Sequence, residues 1–84
     1  MARSVKLYAA LGSNPGKAVS FRDFEHLLRA FGFRRERTTG SHRHYIHPSV
    51  PWVLTVQPEG KDAKRYQVRR LLDIIAEYEL SMDE

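Results

Sequence analysis

The sequence predicts an α+β fold: a three-stranded antiparallel sheet with two main helices on one face, in the order α-β-β-β-α, and a short extra helix in front. Three observations predict it. Phe21, Phe24, Leu27, Leu28 and Phe31 recur at helical spacing and form one apolar stripe. Between Phe33 and Val56, three short runs are separated by Gly-Ser and Pro-containing turns, the pattern of a meander. A second helical stripe follows, made of Val68, Leu71, Leu72, Ile75 and Tyr78.

In chain order, residues 4–11 predict a short helix, with Leu7 and Leu11 as an i, i+4 pair and Gly12 as its stop. Ser13-Asn14-Pro15-Gly16 reads as a turn. Ser20 is the expected N-cap of the first main helix, with Asp23 three residues on as a partial capping box. Gly32 fits the position just past its end. The aromatic stripe is core, and His26, off the stripe, is solvated. Phe33–Thr38 reads as a strand, Gly40-Ser41 as a turn and His42–His47 as a second strand. Pro48–Pro51 is expected to be a loop, because two prolines cannot sit in a central ladder. Trp52–Val56 is the third strand, Pro58–Lys64 a polar loop containing Gly60, and Tyr66–Tyr78 the final helix. That helix carries Arg65, Arg69 and Arg70 early and Asp73, Glu77 and Glu79 late, against the macrodipole. Either the basic end meets an anion, or a cost on the order of a few tenths of a kcal/mol is tolerated.

A chain of 84 residues predicts one domain, 1–84, with its core over 20–80 and a lead-in over 1–19. A domain near this size buries only ~60% of the surface of its unfolded chain. Any catalytic site therefore sits on a face or in a shallow groove. The formal charge of +4 and a pI near 9.8 favour an anionic partner. With no cysteine, disulfides and thiolate metal sites are excluded, which suits a reducing cytoplasm. No apolar run approaches the ~18 residues of a spanning helix, and residues 1–19 lack the pattern of a signal peptide. The expectation is a cytoplasmic protein with no membrane partner.

The chemistry concentrates in Gly40-Ser41-His42-Arg43-His44-Tyr45-Ile46-His47-Pro48, which holds three of the four histidines. Histidine titrates near neutral pH, and Arg34, Arg35 and Arg37 lie just upstream. A proton-transfer residue beside positive charge suits chemistry on a polyanion. His42 is the expected general acid or base. His44, two residues along the strand and so on the same face, is the candidate for the complementary role, or water serves. Arg43, Tyr45 and His47 alternate to the opposite face; if Tyr45 is core, Arg43 and His47 are expected to reach the sheet edge. Arg43, Lys61, Lys64, Arg65, Arg69 and Arg70 are candidate phosphate contacts. No metal and no cofactor is expected, since no Asp, Glu or Cys joins the histidine cluster. The plain alternative is a solvated strand with surface histidines and basic side chains that meet only water.

The predicted element order is shared by double-stranded-RNA-binding domains, which read RNA by shape and backbone contacts. The chain also has a helix ending Leu27-Leu28-Arg29-Ala30-Phe31-Gly32-Phe33, then Gly40-Ser41-His42, Tyr45 and His47-Pro48, a third strand, a basic loop and a final helix. On these residues, from about Ser20 to Leu80, it resembles the HicA family of small bacterial ribonuclease toxins. The resemblance implies a double-stranded-RNA-binding-domain-like fold. It also implies the toxin of a type II toxin–antitoxin system, an endoribonuclease (mRNA interferase) acting on mRNA and neutralised by a HicB-like antitoxin. The family's functional histidine falls on His42. Many members carry a second histidine at the end of the third strand, in a Pro-x-His-Gly-like sequence; here the region reads Val56-Gln57-Pro58-Glu59-Gly60. Two other classes of function fit the same residues: a non-catalytic RNA-binding domain of this fold, and a protein-interaction module with a basic surface.

Overall fold

Ser20 opens α2 (Phe21–Ala30) as its position predicts. Its backbone is extended, at φ −65° and ψ 149°, and its Oγ accepts the Asp23 N–H at 3.1 Å. Gly32 closes the helix at φ +93°. The Gly32 N–H bonds Arg29 O and the Phe33 N–H bonds Leu28 O, both at 3.0 Å, the paired bonds of a Schellman end. A Cβ at position 32 would also lie 3.0 Å from His47 Nε2. The positive φ favours glycine there, and any side chain would also press on His47.

The computed structural model describes residues 2–82, with side chains from Ser4 onward. The remaining elements are α1 (Ala2–Ser13), β1 (Arg34–Thr39), β2 (His42–His47), β3 (Val50–Val56), β4 (Pro58–Glu59), β5 (Asp62–Ala63) and α3 (Arg65–Glu77). The α-β-β-β-α layout behind a leading helix is as the sequence predicts. α1 is longer than expected, and Gly12 lies inside it rather than stopping it. The helix ends where Asn14 meets Pro15, since the residue before proline disfavours the α conformation. Leu11 of α1 is fully buried, and the Tyr8 ring stands edge-on to Phe31 with centroids 5.0 Å apart.

β1, β2 and β3 form one antiparallel sheet in that order, so β1 and β3 are its edges. This explains why the expected loop 48–51 is shorter than the two prolines implied: Pro48 and Ser49 turn, and Pro51 lies within β3. An edge strand tolerates a proline that a central one cannot. The expected polar loop 58–64 is instead a second, two-stranded sheet of β4 and β5, turning at Gly60 with φ +63°. It is held to the start of α2: Phe21 N–H bonds Lys61 O and Ala63 N–H bonds Val19 O, both at 2.8 Å.

α3 buries Gln67, Val68, Leu71, Ile74 and Ile75. Leu72 and Tyr78, assigned to its apolar face from sequence, are only half-buried, and Ile74 and Gln67 take their place. Gln67 is buried because it is spent on hydrogen bonds. Its Oε1 accepts the Gln57 N–H at 3.1 Å and its Nε2 donates to Tyr66 Oη at 3.3 Å, tying α3 to the exit of β3. The first turn of α3 holds no acidic residue, and the N-cap Lys64 makes no side-chain cap. The core joins Leu11, Phe24, Leu27, Leu28, Tyr45, Val56 and Leu71, all fully buried.

Candidate functional site

Residues opposite one another in an antiparallel pair share a face, so the register sorts the histidines. Tyr45 pairs with Leu54, Arg43 with Val56 and His47 with Val50. The buried members of these pairs, Tyr45, Val50, Leu54 and Val56, place that face against the helices. The other face displays Thr39 with His42, Arg37 with His44 and Thr55, and Arg34 with Ile46.

The turn delivers His42 onto the open face. Gly40 adopts φ +61°, which lets a two-residue connection reverse the chain. His42 is exposed and makes no hydrogen bond or ion pair among the described residues. His44 shares its face but is differently placed. Its Nδ1 lies 3.0 Å from Thr55 Oγ1, and its Nε2 is buried without a hydrogen-bond partner.

On the helix side, the structure corrects one expectation. Arg43 and His47 do not escape to the sheet edge; both are held against α2. Tyr45 Oη donates to Glu25 Oε2 at 2.7 Å, and Arg43 Nε stands 3.5 Å from the same oxygen. The Arg43 guanidinium lies 4.8 Å over the Phe21 ring, and its Nη1 donates to Ser41 O at 3.3 Å. Arg43 is thus committed within the fold. His47 Nε2 lies 2.9 Å from Phe31 O, an acceptor only. His47 Nδ1 accepts the Ser49 N–H at 2.9 Å. The two partners place the hydrogen on Nε2 and leave Nδ1 as acceptor, and His47 clamps the end of α2 to the turn after β2. Glu25 stands one turn from Phe21 on α2, which was the available sign that this helix edge is polar.

Burial, followed by the hydrogen bond and negative charge of Glu25, pushes Tyr45 up from 10.0 to about 12. A raised pKa in the folded state favours the protonated form. The contribution is therefore complete below about pH 10 and is lost as the pH rises towards 12. Thermal melts between these pH values should show this loss, and Tyr45→Phe, which cannot ionise, should lose less over the same interval. At neutral pH the variant should be less stable by about 1.5–3 kcal/mol, since it gives up a hydrogen bond to a charged group. Equal alkaline loss in the two proteins would remove Tyr45 as the cause.

The structure divides the other basic candidates between two places. Lys61 sits at the turn between β4 and β5, and its carbonyl binds the Phe21 N–H. Phe21 thereby brings Lys61 to the end of the sheet where Arg43 lies. Arg65, Arg69 and Arg70 line a groove along α3 with Tyr66 and Asp73, and the Arg70 guanidinium lies 5.0 Å over the Trp52 ring. Lys64 precedes them, half-buried. His42 does not line that groove. Among the described residues, no group of three or more His, Cys, Asp or Glu could hold a metal ion, and no helix is long and apolar enough to cross a membrane.

Comparison with known proteins gives one finding that bears on this arrangement. The family model described as the HicA toxin of bacterial toxin–antitoxin systems matches residues 21–75. No curated protein and no solved structure matches the chain. The family match runs from the first residue of α2 into α3, taking in both faces of the sheet and the turn that presents His42. It covers well over half of the sequence, and by it the chain belongs to the HicA toxin family of bacterial toxin–antitoxin systems.

Proposed function

We propose that this toxin is an endoribonuclease that cleaves mRNA with His42 as the proton-transfer group and without a metal ion. The observation that carries the reading is the placement of His42: exposed, without a hydrogen bond or ion pair among the described residues, and presented by a tight turn on the open face of the sheet. RNA brings its own nucleophile. A base removes the 2′-hydroxyl proton, the oxygen attacks the adjacent phosphorus, the bond to the 5′-oxygen breaks, and that oxygen takes a proton. One histidine supplies ~10²–10⁴-fold as base or acid. His44 serves as the complementary group only by giving up Thr55; otherwise water fills that role. Lys61, Lys64, Arg65, Arg69 and Arg70 add positive charge for the RNA backbone, while Arg43 acts by holding the start of β2. A HicB-like antitoxin neutralises the toxin, and the pair works in the cytoplasm.

One observation favours a second reading, an RNA-binding domain without catalysis: the Nε2 of the nearest candidate partner, His44, is buried. The products separate the two. Purified toxin should convert single-stranded RNA to fragments ending in a 2′,3′-cyclic phosphate or its hydrolysed form, with activity retained in EDTA. DNA and 2′-O-methyl RNA should stay intact. Loss of all activity in EDTA, restored by added metal, would reject the metal-free mechanism; binding without any cleavage would leave the second reading.

A further inference from the structure

β1 carries a bulge whose consequence is visible only in the register. Side chains alternate along a strand with period two, so Arg34 and Arg37, three residues apart, would face opposite sides of a regular strand. The pairing shifts by one residue between Arg35 and Arg37, with Glu36 between them as the extra residue. Arg34 and Arg37 consequently pair with Ile46 and His44, both on the open face that His42 occupies. Both arginines are exposed, and neither forms an ion pair among the described residues. At the end of the sheet, Arg34 and Ile46 line a groove of about 300 Å³ together with Gly32, His47 and Pro48, where the open face meets the close of α2; Ile46 and Pro48 give it apolar lining and Arg34 a cation.

We propose that the open face of the sheet is a single-stranded RNA track, running from the scissile phosphate at His42, past Arg37, to a nucleotide subsite at Arg34. The strand distance from His42 to Ile46 is ~13 Å at ~3.3 Å per residue, so the track holds a short run of nucleotides. Arg37 takes a phosphate beside His44, Arg34 takes one further on, and a base rests against Ile46 and Pro48. Guanidinium groups suit this task because their planar donors match phosphate oxygens. No acidic side chain lies among the residues paired on this face, and the charge fits a polyanion. The proposal rests on the ribonuclease reading, and its test is arranged so that the two can fail separately.

The test is the salt dependence of binding to a short, non-cleavable 2′-O-methyl RNA, read by fluorescence anisotropy. Each phosphate contact on a single strand contributes about 0.7 to the log–log slope. Arg34→Ala with Arg37→Ala should lower the slope by about 1.4 and raise KM for RNA cleavage. The same loss of charge at Lys6 and Lys17, exposed in and after α1, should leave the slope where it is. Circular dichroism melts should show that the variants fold, as expected for exposed positions. An unchanged slope in the Arg34/Arg37 variant would overturn the track, whether or not His42→Ala abolishes cleavage. An unchanged slope combined with lost antitoxin binding would overturn it too, and make this face a protein surface. Conversely, a lowered slope in a protein that cleaves nothing would support the track and reject the ribonuclease reading.

Discussion

His42→Ala is expected to abolish RNA cleavage and growth arrest while the protein stays folded. The rate loss should be at least the ~10²–10⁴-fold that a general acid or base supplies, enough to bring cleavage to background. The fold should survive because His42 is exposed and has no partner among the described residues, and such substitutions change stability by about 0.5 kcal/mol or less. Both sides are needed: single-turnover cleavage for the first, a thermal melt for the second. Cleavage by the alanine variant at the wild-type rate would remove His42 from the mechanism. His47→Ala is the instructive contrast. Its two hydrogen bonds, to Phe31 O and from the Ser49 N–H, hold the scaffold, so its loss should lower the melting temperature before it touches the chemistry.

A bound HicB-like antitoxin should silence the toxin completely by covering His42. His42 is exposed on the open sheet face, so a partner that docks there excludes RNA directly. The formal charge of +4 means an acidic partner surface would also speed association. Diethylpyrocarbonate modification of His42, with and without the partner, reads the masking, and RNase activity of the purified complex reads the silencing. An inactive complex in which His42 remains fully reactive would show that the partner acts from a distance. A chain that is harmless when expressed alone, with no adjacent partner gene, would instead sink the ribonuclease reading and leave RNA binding as the function.

Much of the scaffold was legible locally. The Ser20 cap, the 21/24/27/28/31 stripe, the Gly32 end and the Gly40-Ser41 turn each depend on residues within a few positions of one another, and the chain forms them as written. Apart from α1, whose end is set locally at Pro15, the misplaced elements share a different cause. Pro51 is acceptable in β3 only because β3 is an edge, and the pairing of β4 with β5 is anchored by Val19 and Phe21, some forty residues away. Ile74 and Gln67 are buried by the way α3 lies on the sheet and on Gln57, not by a cleaner periodicity.

The candidate site divides along the same line. By itself the sequence determined that His42 begins a strand after a tight turn, that His44 shares its face, and that the family resemblance falls on these residues; turn chemistry and the two-residue period of a strand suffice for that. Which face is open was decided by tertiary structure, because alternation is symmetric until packing buries Tyr45 against α2. Packing also withdrew Arg43 into contact with Glu25 and Phe21, gave His47 to the end of α2 and covered one nitrogen of His44. The bulge at Glu36 brought Arg34 and Arg37 round to the face of His42. Register is a relation between two strands, and one strand read alone does not contain it.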